Sequence, residues 1–432
     1  MNKLSHKDSF YDFLEEQIEQ NRKGDFQLKL LDKHGDLITP KEITAKLIKH
    51  EFVFGVCPNG HISMTNELAC KTGEDSDKYW KLIGDLFNGT SLWWGWRVLE
   101  PELGKWTFDQ EVNGYGPMEA MLQRAEKLDH HITGHALLYP RRDVSPDWVP
   151  DFDPEHIVEE LEKHVRYTVR RYKDRVHYWH PVNEAYEPLQ TVGNLQINEG
   201  MVYRWVKEEA PHSQLVNNGG YTIHPDFYEK GISNAELYGA HVDYLGIRGY
   251  FELFNPDYIE FYMELWQYFD HLVERYGKQL KFTEIGAVSA PINRSYEIDP
   301  TIIEQIGITQ IGASDCNVDF CEVTQADFLV SMYKTIFAHP AMHECSYWDL
   351  LDNYTWNEVE GGLVRSDFTP KPAYYKLQEL IHQEWSTNVQ VQANPEGVYD
   401  FRGFYGKYEI EIDNKIYHVH FTKDCPAQIK MI

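Results

Sequence analysis

Two hydrophobic periods alternate along the 432-residue chain. Short, nearly unbroken apolar runs recur at wide intervals: FVFGVC from Phe52, GTSLWW from Gly89, ITGHALL from Ile132, VHYWHPVNE from Val176, SQLVNN from Ser213, VDYLGIRGY from Val242, LKFTEIGA from Leu280 and CSYWDLL from Cys345. Runs of this kind fit parallel strands covered on both faces. Between them the period lengthens to that of a helix. Met118, Met121, Leu122, Ala125 and Leu128 fall on one face. So do Ile157, Leu161, Val165 and Val169, behind the start signal Asp153-Pro154. The stretch from Ala326 to Phe337 reads as a further helix that ends before Pro340. Eight strands alternating with helices predict a closed α/β barrel or a doubly wound sheet. No glycine-rich phosphate loop follows the first strand, which favours the (β/α)8 TIM barrel.

The two ends depart from this pattern. Phe26 to Leu31 reads as a strand, and after a turn at His34-Gly35-Asp36 a second follows near Ile43 to Ile48. Past the last helix, NVQVQ, VYDFRGF, YEIEI and IYHVHF are four more short strands separated by turn residues. These six are expected to form a small β-sandwich beside the barrel. The expected division is 1–50 (a helix and the first sandwich strands), 51–384 (the barrel) and 385–432 (the remaining strands).

Charge narrows the range of partners. The formal net charge is −27, so nucleic acid and anionic membrane surfaces would repel the chain. A neutral sugar would not be repelled, and the 12 Trp and 28 Tyr suit sugar stacking as well as core packing. The six cysteines are scattered, without zinc spacing or a secreted disulfide framework, and read as free or partly buried thiols. No cofactor or metal is expected. The N-terminus lacks the apolar core of a signal peptide. The compartment expected is cytoplasmic as the chain stands, or secreted or periplasmic if a leader was removed. A monomer or weak oligomer is expected.

In such a barrel, side chains at the C-terminal strand ends line the active-site mouth. Glu184 ends the fourth run and Glu284 the seventh. A lone glutamate there is most often an ion-pair partner, but two in one mouth match the needs of glycoside cleavage. One protonates the leaving oxygen while the other attacks the anomeric carbon, with the carboxyls about 5–5.5 Å apart in the retaining geometry. Asn183 would bond the sugar 2-hydroxyl; its plainer reading is a turn residue after a strand.

These strings resemble glycoside hydrolase family 10, whose usual activity is endo-β-1,4-xylanase. GHALLYPRRDVSPDWV is similar to its third-strand motif, WHPVNEA to the acid/base strand, FTEIGA to the nucleophile strand, YWDLLDNYTW to the eighth-strand motif and FTPKPAYYKL to the closing helix. RWVKEEAPHSQLVNN resembles the approach to strand five. The resemblance runs from about Phe52 to Leu380. It implies retaining hydrolysis, with Glu184 as acid/base, Glu284 as nucleophile, and sugar-binding roles for Trp348 and Trp356. Around the catalytic pair the expected substrate-binding set is Asn183, His135, Tyr139, Trp94, Arg97, Arg141, Asn218, Arg248, Tyr250, Trp348 and Trp356, the substrate being an oligosaccharide or polysaccharide.

Departures from the family cluster in the glycone-side contacts. Trp93-Trp94-Gly95-Trp96-Arg97 stands where a Glu-Asn…Lys set is usual, Tyr139-Pro140 for Trp-His, and Arg248-Gly249-Tyr250 for Gln-x-His. Polar contacts discriminate substrates steeply, so unsubstituted xylan is expected to be a poor substrate. Arg97, Arg141, Arg142 and Arg248 either bind an anionic sugar or pair with local carboxylates. Tyr250 is expected to hydrogen-bond Glu284. Two further readings are an exo-acting β-glycosidase on a short glycan or glycoconjugate, and a non-catalytic sugar-binding protein on a hydrolase scaffold.

Overall fold

A computed structural model describes residues 3–58, 66–141, 144–184, 198–221, 226–251, 259–290, 321–352 and 360–432. Strands β1 (Lys23–Leu31) and β2 (Ile43–His50) lead into eight barrel strands: β3 (Val53–Cys57), β4 (Gly89–Trp93), β5 (His131–His135), β6 (Tyr178–Trp179), β7 (Gln214–Tyr221), β8 (Tyr244–Phe251), β9 (Gln279–Ala287) and β10 (Met342–Trp348). They pair in parallel in chain order, and β10 closes the ring by pairing with both β9 and β3. This is the (β/α)8 barrel that the alternation predicts. Helices lie between the strands as expected. The helix Pro154–Tyr172 starts where the Asp153 carboxylate accepts the backbone N–H groups of Glu155 and His156, both at 3.1 Å. Its face of Ile157, Leu161, Val165 and Val169 is buried.

Both faces of the barrel wall are covered, and the strands β3, β4 and β10 are buried almost throughout. Polar groups nevertheless enter the barrel interior. Low in it, Lys281 Nζ lies 2.7 Å from Glu344 Oε2 and 3.0 Å from the centre of the Tyr178 ring. The site described below sits above this pair on the same strands.

After the barrel come β11 (Asn388–Val391), β12 (Tyr399–Phe404), β13 (Gly406–Ile412), β14 (Lys415–Phe421) and β15 (Ala427–Met431). They join the first two strands in two sheets, β12-β1-β15 and β11-β2-β13-β14. Alternate residues Phe26, Leu28 and Leu30 of β1 are buried. The Phe26 ring stacks on Phe421 of the other sheet at 4.5 Å and meets Tyr408 at 5.9 Å, so the two sheets share an aromatic core. Among the described residues the sandwich therefore has seven strands, one more than the sequence suggests. The extra strand is β15, a five-residue AQIKM that alternates apolar and polar residues but leaves its apolar Ile429 and Met431 exposed.

The first helix, Lys3–Asn21, lies against the barrel helices. Tyr11 Oη is 2.7 Å from Ser331 Oγ, and Phe13 meets the edge of Trp266 at 4.9 Å. Arg22 then donates to the carbonyls of Phe337, His339 and Met342. Phe337 belongs to the last turn of helix Glu322–Ala338, whose final carbonyls lack partners within the helix, and Met342 begins β10.

Candidate active site

A break in strand register builds the centre of the site. Ile247 of β8 pairs with Phe282 of β9, but the next residue, Arg248, pairs with Glu284. Thr283 is the extra residue of this bulge, a device that re-aims side chains. Two consecutive residues, Thr283 and Glu284, thereby reach the same partner on β7. Thr283 Oγ1 donates to Asn218 Oδ1 at 2.6 Å. That contact turns the amide so that Asn218 Nδ2 donates to Glu284 Oε1 at 2.9 Å and to Asn183 Oδ1 at 2.8 Å. Gly246 makes room for this side chain, since a Cβ there would stand 2.4 Å from Asn218 Oδ1.

Glu284 is buried, with 4% exposure. Besides Asn218 it accepts from the Tyr250 hydroxyl, as the sequence reading expects, and His135 Nε2 lies 3.8 Å from its Oε1. Glu184 follows β6, beyond a parallel bridge between Asn183 and Asn218. Its backbone is left-handed, at φ 53°, a conformation unusual for a non-glycine residue and common at functional sites. Its carboxylate accepts from the Tyr139 hydroxyl and from Arg248 Nη1. Each glutamate thus carries its own phenol. Burial first, and then the adjoining carboxylate, push both the Tyr139 and Tyr250 hydroxyls up, so both remain protonated donors.

Histidine and indole rings complete the floor. The His135 ring meets Trp348 at 4.9 Å, Trp93 at 5.1 Å and the His180 ring at 4.9 Å. Burial, and then the charge of Arg248, pull His135 down to about 3, so the ring is neutral.

The structure brings Asn183, Glu184, His135, Tyr139, Asn218, Arg248, Tyr250, Glu284 and Trp348 into one cluster. Arg141 reaches its edge, donating to Tyr139 Oη at 3.1 Å with its guanidinium over that ring. Arg97 pairs with Asp147 at 3.0 Å. Arg97 and Arg248 thus meet local carboxylates, whereas Arg141 meets a phenol. Trp356 and Arg142 lie outside the described residues.

Trp94 corrects the sequence reading. It is completely buried, packed on Tyr172 at 4.7 Å and Trp179 at 5.8 Å, and offers no face to a sugar. Side chains alternate across a strand, so adjacent Trp93 and Trp94 take opposite sides. Trp96 is also buried, against Trp148 and His164, with its Nε1 donating to Glu100 Oε2 at 3.1 Å. Trp93 alone of the three stands beside the site. Thr283 and His180 are the functional neighbours that the sequence reading missed. Both were visible as polar residues inside apolar strand runs. Among the described residues no cluster of three His, Cys, Asp or Glu is arranged to hold a metal ion.

Comparison with known proteins supplies the family. An anti-sigma-I factor, RsgI6 of Acetivibrio thermocellus, is 23% identical over 92% of this chain, and the match covers 46% of the relative. Endo-1,4-beta-xylanase B of Thermotoga neapolitana is 23% identical over 72% of this chain and 85% of its own length. Endo-1,4-beta-xylanase 3 of Arabidopsis thaliana is 20% identical over 92% of this chain and 47% of its own length. The chain thus spans about half the length of the first and third of these relatives. Among solved structures, xylanase 10B of Thermotoga petrophila with xylobiose superposes with a TM-score of 0.57 at 19% identity, covering 77% of this chain and 95% of that one. An endoxylanase from a sugarcane soil metagenome gives 0.56 at 18% identity, covering 84% and 98%. These two likenesses concern the fold. The family model described as glycosyl hydrolase family 10 matches residues 93–380. That is more than half of the sequence and spans both glutamates, so the chain belongs to glycosyl hydrolase family 10.

Proposed function

We propose that the chain is a retaining β-glycoside hydrolase acting on a xylan-like β-linked glycan, decorated or acidic rather than plain. The observation that carries this reading is the pair Glu184 and Glu284, on two strand ends of one mouth, each loaded with its own donors. Glu284 is the nucleophile. Asn218 and Tyr250 donate to its two oxygens and so orient it. Glu184 is the acid/base, protonating the leaving oxygen and then drawing a proton from the attacking water. Its more exposed side chain, at 14% against 5% for Glu284, suits contact with both. Asn183, tied to Asn218, faces the 2-hydroxyl.

Arg248 carries the substrate preference. Its guanidinium is bonded to Glu184, the carboxyl group that must meet the leaving oxygen. A carboxylate on the glycan that engages Arg248 would relax this pair as the substrate settles. The test is activity on a panel of aryl glycosides, linear xylan and glucuronate-bearing xylan, with Glu284→Ala as control. Equal efficiency on linear and acidic xylan would rule out the substrate preference. No hydrolysis of any member would rule out the enzyme. The second reading, a sugar-binding regulator, is favoured by the relative named as an anti-sigma factor, which aligns over 92% of this chain. It predicts glycan binding without turnover.

A further inference from the structure

His180 is a buried histidine in the barrel that the proposed mechanism leaves without a role. Its Nδ1 lies 2.7 Å from His135 Nδ1, and both side chains are almost wholly buried. A hydrogen bond between two imidazole nitrogens requires one proton on one of them, so two arrangements exist. If His135 donates, its own Nε2 is bare and points a lone pair at the Glu284 carboxylate 3.8 Å away. In that arrangement His180 carries its proton on Nε2, a buried nitrogen with no hydrogen-bond partner among the described residues. An orphaned buried N–H is among the costlier defects in a protein, and a bare acceptor is less so. If His180 donates, the N–H falls instead on His135 Nε2, where it faces the Glu284 carboxylate at 3.8 Å, too far for a hydrogen bond but attractive in charge, and His180 Nε2 is a bare acceptor.

We propose that His180 is a positioning residue that donates its Nδ1 proton to His135, locking His135 as the tautomer whose Nε2–H is aimed at Glu284. The nucleophile then accepts hydrogen bonds from Asn218 and Tyr250 and faces the His135 N–H at 3.8 Å. Tilted and edge-on contacts with Trp93, Trp348 and His180 fix the plane of the His135 ring, while His180 fixes which nitrogen bears the proton. Burial keeps His180 well below its ordinary range, so the pair holds two neutral rings rather than a cation. The charged groups facing the pair are Glu284, Glu184, Arg248 and Lys281.

The inference rests on reading Glu284 as the nucleophile, but its first test does not need turnover. Two-bond 1H–15N spectra of histidine-labelled protein distinguish protonated from bare ring nitrogens. The expected result is His135 protonated only at Nε2 and His180 only at Nδ1. The reverse assignment overturns the proposal, even if a substrate is never found. The second test compares two variants of nearly equal shape. In His180→Asn the amide nitrogen stands where Nδ1 stood and still donates. In His180→Asp an acceptor takes that place and draws the proton onto His135 Nδ1. His180→Asn should retain kcat within about threefold, whereas His180→Asp should lose about 10–100-fold in kcat with KM little changed. His180→Asp should also add an ionisation to the pH profile as His135 gains a second proton. Equal kcat losses in the two variants would reduce His180 to a packing residue. Should His180→Asp fail to fold, the spectra of the unaltered protein still decide.

Discussion

Strand β9 carries two charged side chains three positions apart, and they live in different company. Low in the barrel, Lys281 meets Glu344 at 2.7 Å, with side-chain exposures of 0% and 1%, and Ser346 Oγ donates to the same carboxylate at 2.5 Å. One cation answers one anion, and nothing is left over. In the mouth, Glu184 meets the guanidinium of Arg248, and the other described partners of the two carboxylates are neutral: two phenols, a carboxamide and an imidazole. Charge is matched where the barrel must only stand. It is left in excess where a sugar cation-like transition state would need it.

This contrast can be broken from either side. The largest effect expected is in the mouth: Glu284→Ala should lower kcat/KM on the best glycoside by on the order of 10⁴-fold or more. Chemical denaturation should meanwhile show the variant at least as stable, because a buried anion has gone. The next is in the lower pair. Glu344→Ala leaves Lys281 buried without its anion and should cost about 3–5 kcal/mol in a urea melt. Replacing both, as Lys281→Met with Glu344→Leu, should recover most of that loss. Third, Glu184→Ala should lose about 10²–10⁴-fold on poor leaving groups, and far less on activated aryl glycosides, which need little protonation. Parallel losses on both substrate types would remove Glu184 from the acid role. The smallest effect belongs to the rim: breaking the Arg97–Asp147 pair with Asp147→Ala should cost about 1 kcal/mol or less, since Asp147 is largely exposed.

The barrel was legible because buried parallel strands leave unbroken apolar runs, and Glu184 and Glu284 stand out at the ends of two of them. Periodicity does not show which neighbour in a pair of bulky residues faces inward, so Trp93 and Trp94 were confused. Nor does it reveal a bulge. A strictly alternating β9 would separate Thr283 from Glu284, whereas the register shift at Ile247/Arg248 lets both reach Asn218. Pairings such as Arg248 with Glu184 depend on the barrel's closure. From sequence they remained one of two alternatives, and the structure brings the two side chains together.

The place of β1 has a consequence for how the protein is made. It is the central strand of its sheet, with Tyr399–Phe404 on one edge and Ala427–Met431 on the other. Its partners leave the ribosome only after the whole barrel has been translated, a delay on the order of tens of seconds at ordinary elongation rates. Until then Phe26, Leu28 and Leu30 belong to a strand with two open edges, a template for misassociation between nascent chains. Chains cut short before Tyr399 would expose that strand permanently. The sheet around β1 is therefore complete only once Ala427–Met431 has been made.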